Sequence, residues 1–327
     1  MKYIIIGTGN ISNTYVNALN NLEQHEVVGF VSRSKSHTVN GKTYPTWPNL
    51  ELVDQDFDAV VVATPNGLHC DGIIAAAQLG KHVLTEKPLG INKVAMHTAL
   101  DLCHNNQVTL AVAYQHRTSP DNISVKALLE RGELGKVFAA DLSAKFYRTQ
   151  AYYDSAEYRG GYAIDGGGPF MQQACHNIDV YTWFFGKPKK VVSLMGTFAH
   201  NIEAEDHGAA ILQHEDGMIG TIVASTAAQP GFAARLEVHT SKGSFTMVDN
   251  RITEWHFEDL PNPANTDFNY AHDGAKSASV SDTSAHEAII LDFEAAIKTG
   301  KTPIADGLST QLTSELILDI YEADMGN

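Results

Sequence analysis

The strongest constraint on the fold is the alternation of short apolar runs with helical stretches in the first third of the chain. The apolar runs are Tyr3–Ile6, Val27–Val31, Ala59–Ala63, His82–Leu84 and Thr109–Ala113, and the helical stretches between them are Ile11–Leu22, Asp71–Leu79 and Asn92–Asn105. Strands that lack a polar face are typical of a parallel sheet covered by helices on both sides. We therefore predict a doubly wound α/β domain over residues 1–119.

One connection in this pattern lacks its helix. Between Ser32 and Phe57 the chain contains Gly41, Pro45 and Pro48 but no amphipathic stretch of ordinary helical length. The segment is nevertheless long enough to connect two parallel strands. We expect a short helix or a loop there.

The pattern changes after Pro120. A helix (Ser124–Arg131), a strand (Val137–Phe146) and a second helix (Pro169–Phe185) come first. Strands without intervening helices follow, and two helices close the chain: the strands are Val191–Phe198, Gly208–His214, Met218–Ser225, Arg235–Thr240 and Ser244–Val248, and the helices are His286–Lys298 and one from Ser309. Asp-Gly and Lys-Gly turns between neighbouring strands favour hairpins. The sequence predicts an α+β domain with an open, mostly antiparallel sheet over residues 120–327.

Composition limits the partners. The formal net charge of -15 argues against nucleic acid and against an anionic membrane surface. No apolar run approaches the roughly 20 residues of a membrane span, and no signal-peptide pattern precedes the first strand, so we expect a soluble cytoplasmic protein. Cys70, Cys103 and Cys175 are too scattered for a disulfide framework or a zinc site. We expect them to be buried, and we expect no metal.

A glycine motif joins the first strand to the first helix. In Gly7-Thr8-Gly9-Asn10-Ile11-Ser12 the first glycine permits a tight turn and the second lets the backbone approach a pyrophosphate. The helix N-terminus then supplies unpaired N–H groups and a positive dipole. The motif stands at the start of a strand–helix–strand unit, so it predicts a Rossmann domain that binds a nicotinamide dinucleotide.

The end of the second strand bears on which dinucleotide is bound. NAD enzymes usually carry Asp or Glu there, for the ribose 2′-hydroxyl. This chain reads Val31-Ser32-Arg33-Ser34-Lys35, so a guanidinium and two hydroxyls stand where a 2′-phosphate would lie. The alternative is that Arg33 is an ordinary solvated arginine. We expect NADP rather than NAD.

Three further motifs carry a resemblance to a known family. They are Ala63-Thr64-Pro65-Asn66-Gly67-Leu68-His69, Thr85-Glu86-Lys87-Pro88, and Gly166-Gly167-Gly168 followed by His176-Asn177-Ile178-Asp179. In this order and spacing the chain resembles, over essentially its whole length, the glucose–fructose oxidoreductase / inositol dehydrogenase (Gfo/Idh/MocA) family. The resemblance implies hydride transfer between NAD(P) and a small-molecule substrate, which is a sugar, a polyol or a related carbinol or ketone. The predicted cofactor-binding residues are Gly7, Thr8, Gly9, Asn10, Ile11, Ser32, Arg33, Thr64, Pro65, Asn66, His69, Glu86 and Lys87.

Lys87 is the first candidate catalytic residue. It lies at the carboxyl end of a predicted parallel strand, where open α/β sheets bind their ligands. Pro88 restricts the Lys87 backbone to an extended shape. A lysine so placed can take the proton of a substrate hydroxyl, and Glu86 beside it could tune or tether its charge. The alternative is an ordinary surface lysine.

The helix after the glycine run carries the other candidates. Gln172, His176 and Asp179 share one face of it. By resemblance, His176 joins Lys87 in proton transfer and Asp179 orients His176 or a substrate hydroxyl; a purely structural histidine is the alternative. Inositol dehydrogenase-like members carry Asp where this chain has Gln172, which loosens the substrate assignment. The predicted substrate contacts are Gln172, Arg117, Tyr158 and Arg159, although Arg117 could instead bridge the domains.

Two other functions stay open at this point. Some members of the family cleave glycosides without net oxidation, using tightly held NAD, and a dinucleotide-binding regulator of this fold is known. The presence of both Lys87 and His176 argues against the regulator. The resemblance also implies a homodimer or homotetramer formed through the sheet of the second domain.

Overall fold

The computed structural model describes residues 1–265 and 282–324. Contacts divide the chain into two compact units. The first contains Met1–Gln115 together with a C-terminal segment that includes the helix Ser284–Thr299 and ends at Gln311. The second begins at His116 and takes up the chain again at Leu312.

A seven-stranded sheet forms the centre of the first unit. Its strands are β1 (Lys2–Ile6), β2 (Glu26–Val31), β3 (Ser36–Val39), β4 (Lys42–Trp47), β5 (Ala59–Val62), β6 (His82–Thr85) and β7 (Leu110–Val112), and its first helices are α1 (Asn10–Asn21), α2 (His69–Gln78) and α3 (Lys93–Asn105). The strand order is β3-β4-β2-β1-β5-β6-β7, with β1 parallel to both β2 and β5. The direction of winding therefore reverses between β1 and β5, which is where doubly wound sheets bind ligands. The predicted Rossmann fold is confirmed.

A β-hairpin fills most of this connection, and the expected short helix follows it as a single 3₁₀ turn, Leu50–Leu52. β3 pairs antiparallel with β4, and β4 pairs in parallel with β2. Gly29 of β2 makes this possible, because a Cβ there would lie 2.5 Å from the Trp47 ring and 2.6 Å from the Pro45 carbonyl oxygen. Pro45 obscured the strand in the sequence, since a proline inside an apolar run argues against a strand.

A second seven-stranded sheet lies in the second unit. This unit contains α4 (Pro120–Glu130), β8 (Val137–Lys145), α5 (Gln150–Tyr153), α6 (Pro169–Gln172), α7 (Cys175–Phe185), β9 (Lys190–Gly196), β10 (His207–Gln213), β11 (Ile219–Ser225), β12 (Arg235–Thr240), β13 (Gly243–Val248) and β14 (Arg251–Phe257). The order is β14-β13-β12-β8-β11-β10-β9, and only the β8–β11 pairing is parallel. The predicted open, mostly antiparallel sheet is confirmed, with β14 as an additional strand.

The predicted helix Pro169–Phe185 is divided into α6 and α7. An apolar stripe runs along both helices and is buried: Met171, Ala174, Ile178 and Tyr181 are all inaccessible to solvent. The Tyr181 hydroxyl lies 3.0 Å from His214 Nε2 of the sheet. Burial of this stripe leaves the other helix face available for polar groups.

Two helices close the chain, α8 (Ser284–Thr299) and α9 (Gly307–Glu322). The sequence placed α8 in the second domain, but it packs on α1 of the first unit. The Tyr3 hydroxyl donates to Glu294 Oε1 at 2.6 Å, and Phe293 is inaccessible to solvent. The linking segment also bonds the β7 edge, where Val112 N donates to Ala305 O at 2.9 Å. Within the described ranges no helix combines the length and the apolarity needed to cross a membrane.

Candidate functional site

The glycine motif forms a tight turn at the end of β1. Gly7 has a φ of +106°, and a Cβ on it would lie 2.5 Å from the Ala63 carbonyl oxygen. Any other residue there would therefore be strained and would collide with backbone. Gly9 faces open space, because a Cβ atom added to it would have no neighbouring atom within 4 Å. Ser12 is buried and its hydroxyl donates to Gly9 O at 2.6 Å, so it fills the third small position of the motif.

The N-terminus of α1 offers unpaired donors. Gly9 is its N-cap residue and supplies no side-chain cap, and both Gly9 and Asn10 are exposed. Thr8 and Ile11 are half-buried beside them. Because the first N–H groups of a helix have no intrahelical acceptor, this turn suits the pyrophosphate of a dinucleotide.

The segment after β2 leaves two cations exposed, Arg33 and Lys35. Ser32 N donates to Trp47 O at 2.9 Å, and Ser34 N donates to Ser32 Oγ at 3.2 Å. The hydroxyls of Thr8 and Ser32 lie 3.5 Å apart. Arg33 is exposed, and its guanidinium contacts no described residue. The hairpin thus fixes the backbone of this turn while the charged group remains available.

The loop after β5 is tied to the loop after β6 by a buried histidine. His69 Nδ1 lies 2.7 Å from Pro88 O and Nε2 lies 2.9 Å from Thr64 O, and burial lowers the pKa of this imidazole. The ring is inaccessible to solvent and supports both loops. Its role as a cofactor contact stays a prediction. Pro65 and the buried Asn66 begin the intervening turn. The Thr64 hydroxyl is buried and has no hydrogen-bond partner among described residues, so a bound ligand could supply one.

Glu86 holds the backbone of Lys87. It is only 8% exposed; its Oε1 accepts from the Tyr15 hydroxyl at 2.7 Å and its Oε2 accepts from Lys87 N at 3.2 Å. His286 Nε2 of α8 lies 3.9 Å from the same Oε1. Lys87 itself is half-buried, and its peptide bond to Pro88 is cis. These contacts fix the Lys87 backbone, and the tuning or tethering of the Lys87 charge by Glu86 stays a prediction.

In the second unit, Arg117 and Asp179 form a buried ion pair. Arg117 Nε lies 2.8 Å from Asp179 Oδ2, Nη2 lies 2.7 Å from Oδ1, and both residues are inaccessible to solvent. The Thr313 hydroxyl donates to the same Oδ1 at 2.9 Å. The buried two-bond pair gives Arg117 a structural role, and its assignment as a substrate contact stays a prediction. Asp179 anchors α7, and its orientation of His176 stays a prediction.

His176 lies in the first turn of α7 and packs against a second imidazole. The rings of His116 and His176 are 4.8 Å apart between centroids and inclined by 30°. His116 is held by the Asn122 side chain, which donates to its carbonyl oxygen at 2.8 Å. The structure therefore brings the candidate proton-transfer histidine together with a second histidine, which follows the last strand of the first sheet.

The glycine run before α6 is required by close packing within the unit. A Cβ on Gly167 would lie 2.1 Å from the Tyr321 hydroxyl oxygen, and one on Gly168 would lie 1.9 Å from Glu205 O. Gly168 N and Phe170 N donate to the Glu205 carboxylate at 3.0 and 3.4 Å, and the Tyr321 hydroxyl donates to it at 2.9 Å. The run admits protein atoms, and this buried carboxylate fixes the start of the helix.

No motif in the sequence singles out Glu205 or Tyr321. Glu205 lies just before β10, a strand in which buried and exposed residues alternate. In the sequence, its carboxyl therefore resembles an ordinary polar group at the end of a strand. The one signal was the pair of adjacent acids, Glu205 and Asp206, beside a strand with a buried face. Buried carboxylates need donors, and here the donors are backbone groups of the glycine run.

The predicted substrate contacts near this run differ in their surroundings. Gln172 Nε2 donates to Asp165 O at 2.7 Å, and Asp165 Oδ2 accepts from Gly160 N at 3.0 Å. Gln172 therefore closes the loop that leads into α6. Tyr158 is 38% exposed and Arg159 is half-buried, so both have surface to offer a ligand.

The cysteines and the potential metal ligands of the described part of the chain were each compared with what such chemistry requires. Cys70, Cys103 and Cys175 are buried free thiols. Burial raises the pKa of Cys70 to about 11 and that of Cys103 to about 12, which keeps both thiols protonated at neutral pH. Residues 1–265 and 282–324 contain no group of three His, Cys, Asp or Glu side chains placed to hold a metal ion.

Two family models match the chain. Residues 1–114 match an oxidoreductase family with an NAD-binding Rossmann fold. Residues 123–246 match the GFO/IDH/MocA C-terminal domain. The two matches cover the sheet and glycine loop of the first unit and most of the sheet of the second.

Individual relatives agree with these matches. The chain is 26% identical to D-xylose 1-dehydrogenase (NADP(+)) 2 of Haloferax volcanii, over 99% of this chain and 97% of the relative. It is 25% identical to scyllo-inositol 2-dehydrogenase (NAD(+)) of Bacillus subtilis, over 81% of this chain and 75% of the relative. Among solved structures, the WlbA dehydrogenase of Bordetella pertussis, in complex with NADH and UDP-GlcNAcA, is similar with a TM-score of 0.83 at 27% identity, over 98% of this chain and 95% of that one.

The Glu205 carboxyl predicts a pH-dependent stability. Burial raises its pKa to about 7, from an ordinary value of 4.5, although the donors around it oppose the shift. The folded protein thus keeps a proton that the unfolded chain releases above pH 4.5. The stabilisation from Glu205 is complete below that pH and is lost as the pH rises through about 7, by up to about 3 kcal/mol.

We expect Glu205→Gln to remove this dependence, because the amide cannot ionise. The free energy of unfolding of the variant relative to wild type should rise between pH 5 and pH 8, measured by urea denaturation. Glu203→Gln, which alters an exposed carboxyl two residues away, should follow the wild-type profile. Parallel profiles for wild type and Glu205→Gln would contradict the prediction.

Proposed function

The chain belongs to the GFO/IDH/MocA family of NAD-binding oxidoreductases, and we propose that it transfers a hydride between NADP and a sugar, a polyol or a related carbinol or ketone. One observation carries the proposal: the dinucleotide turn Gly7–Gly9 after β1 and Lys87 after β6 share the carboxyl edge of one parallel sheet. The substrates named for relatives, D-xylose and scyllo-inositol, support the substrate class.

The residues of the first unit fit a dinucleotide. The donors at the N-terminus of α1 suit a pyrophosphate, and the space above Gly9 lets it approach the backbone. The partnerless hydroxyl of Thr64 and the exposed guanidinium of Arg33 offer further contacts. The nicotinamide, when bound, accepts or donates the hydride.

The protein's own part in the reaction is to move the hydroxyl proton. When the substrate carbinol loses its hydride, its hydroxyl proton must pass to a base, and reduction of the ketone requires the same proton back. Lys87 is suited to this because Glu86 fixes its backbone while its side chain stays partly exposed. His176 is the second proton-transfer residue in the proposal, held by the stack with His116.

The preference for NADP is supported by Arg33. No carboxylate follows β2 to repel a 2′-phosphate, and the Arg33 side chain forms no hydrogen bond or ion pair with a described residue.

A charge-assisted hydrogen bond contributes roughly 1.5–3 kcal/mol. We therefore expect Arg33→Ala to weaken NADPH binding about 10-fold to 100-fold in a fluorescence titration and to leave NADH binding unchanged. Wild-type protein that binds NADH at least as tightly as NADPH would refute the preference.

Lys87 carries the catalytic proposal. A panel of sugars, inositols and keto-sugars followed at the NADPH absorbance should include a substrate, and Lys87→Ala should lower its kcat by about 10²- to 10⁴-fold, the usual contribution of a positioned acid or base. Lys301→Ala, which removes an exposed lysine of the same unit, should be neutral. Unchanged kcat in Lys87→Ala, or no turnover with any member of the panel, would count against the assignment.

The second sheet supports a homodimer or homotetramer. Its outer face exposes Leu194 by 56%, Ile211 by 57% and Ile219 by 44% on neighbouring strands β9, β10 and β11. The same face carries the charged Arg235 and Glu237 on β12. A contiguous apolar patch beside a polar region is typical of a protein interface.

We expect Ile211→Asp to dissociate the oligomer, because a carboxylate cannot be buried at the centre of that patch without a partner. Sedimentation velocity measures the outcome. Arg235→Ala, at the polar half of the face, serves as the control and should leave the mass unchanged. A wild-type protein that sediments as a monomer would remove the basis for this proposal.

A further inference from the structure

Tyr15 lies in the middle of α1, the helix that begins at the dinucleotide turn. Its side chain is inaccessible to solvent, and its hydroxyl donates to Glu86 Oε1 at 2.7 Å. Burial and, next in size, the negative charge of Glu86 hold the pKa of this hydroxyl well above its usual range. Tyr15 therefore keeps its proton at physiological pH and serves Glu86 as a permanent donor.

The Tyr15 ring is packed between its own helix and α8. It meets the His286 ring of α8 edge-on, with the centroids 5.4 Å apart and an interplanar angle of 89°. Asn21, the last residue of α1, donates through Nδ2 to Glu287 Oε1 of α8 at 2.8 Å, which ties the two helices together. A fully buried ring in a close-packed interior has little freedom to shift. The Tyr15 hydroxyl is thus held in one place relative to the loop after β6.

The Tyr15 hydroxyl fixes the plane of the Glu86 carboxylate. The torsion that turns a carboxylate has only a broad preference of its own, so its donors decide its orientation. Oε1 accepts from Tyr15, and Oε2 accepts from Lys87 N at 3.2 Å. His286 Nε2 lies 3.9 Å from Oε1, which is too far for a hydrogen bond that would replace the hydroxyl. Without Tyr15 the buried carboxylate would turn towards another donor, and because its two oxygens move together, the bond to Lys87 N would be lost.

The rest of this loop is anchored by contacts that do not involve Tyr15. Glu86 N donates to a carbonyl oxygen of β5 at 2.8 Å, and His69 Nδ1 lies 2.7 Å from Pro88 O. These contacts hold the main chain on either side of Lys87. Loss of the Tyr15 hydroxyl would therefore disturb the Lys87 backbone and leave the loop and the dinucleotide turn in place.

We propose that Tyr15 is a positioning residue for proton transfer: acting through Glu86, it fixes the main chain of Lys87 and so the point from which the lysine reaches the substrate hydroxyl. Tyr15 itself is inaccessible and touches neither substrate nor dinucleotide. The proposal rests on the proposed function, because it concerns the placement of the proton-transfer lysine. A misplacement of about 1 Å can lower turnover about 100-fold, so the effect falls on kcat.

The first test measures the Lys87 backbone directly, by amide hydrogen exchange followed residue by residue with NMR, and needs no substrate. Tyr15→Phe keeps the ring and removes the hydroxyl. It should speed exchange of the Lys87 amide by about 10-fold or more, as expected for the loss of one hydrogen bond to a charged group. Tyr3→Phe is the matched control, because it removes another buried hydroxyl of the same unit, which donates to Glu294 Oε1 at 2.6 Å. It should leave exchange of the Lys87 amide unchanged.

The second test separates positioning from binding. With the substrate that the sugar panel identifies, Tyr15→Phe should lower kcat by about 10-fold to 100-fold and leave KM and the Kd of NADPH within about 2-fold of wild type. Tyr3→Phe should keep the wild-type kcat. In a Glu86→Ala background, Tyr15→Phe should have no further effect on kcat or on Lys87 exchange, because the residue through which it acts is gone.

Three results would overturn the positioning role: unchanged Lys87 exchange in Tyr15→Phe, equal acceleration in Tyr15→Phe and Tyr3→Phe, or a wild-type kcat in Tyr15→Phe. Additive losses in the Glu86→Ala background would overturn the route through Glu86. Because exchange is measured without turnover, a failure of the proposed function would show separately, as a panel without any substrate while the Lys87 amide still responds to Tyr15→Phe.

Discussion

Two fully buried charges, the Arg117 guanidinium and the Asp179 carboxylate, meet in a two-bond pair inside the second unit. Removing each charge from water costs several kcal/mol, and only near-ideal geometry with further hydrogen bonds offsets this. Here the bonds are parallel, and Thr313 supplies a third. The pair therefore holds α7 to the segment that follows the first sheet. His176 lies one turn before Asp179 on α7, so the position of its imidazole depends on this buried contact.

A buried carboxylate holds the backbone at Lys87, and another holds the glycine run before α6. Glu86 accepts from the Tyr15 hydroxyl and from the backbone N–H of Lys87. Glu205 accepts from the Tyr321 hydroxyl and from backbone N–H groups at the glycine run. In both units a buried carboxylate thus combines a tyrosine with main-chain donors, at Lys87 in the first unit and at the start of α6 in the second. Such buried hydrogen bonds are strong and directional, and they fix a loop more firmly than side-chain packing alone.

The sequence predicts well what depends on local periodicity. The apolar runs of the first third all became strands, and the glycine motif formed the turn that it predicted. Prediction from the sequence failed where the contact that determines the structure joins residues far apart along the chain. The β3–β4 hairpin depends on the room that Gly29 leaves for Trp47, and the break between α6 and α7 interrupts a continuous helical pattern.

The same limit applies to the candidate site. Residue type and spacing singled out Lys87, His176 and Asp179, but not the partners that decide their roles. Nothing near Asp179 in the sequence indicates that Arg117, 62 positions away, binds its carboxylate. The glycine run is equally silent in the sequence about Glu205 and Tyr321, the distant residues of the same unit that pack against it. Long-range polar pairing leaves no periodic signal.

The return of α8 to the first unit has a consequence for how the protein is made. Tyr3 of the first strand finds its partner in Glu294, 291 positions later. Domains usually fold as they leave the ribosome, beginning at the N-terminus. The first unit cannot complete its core in this way, because the helix that covers α1 and the segment that pairs with β7 are synthesised only after residues 116–279. A nascent chain would carry an incomplete first unit, with part of its core uncovered, throughout the synthesis of the second.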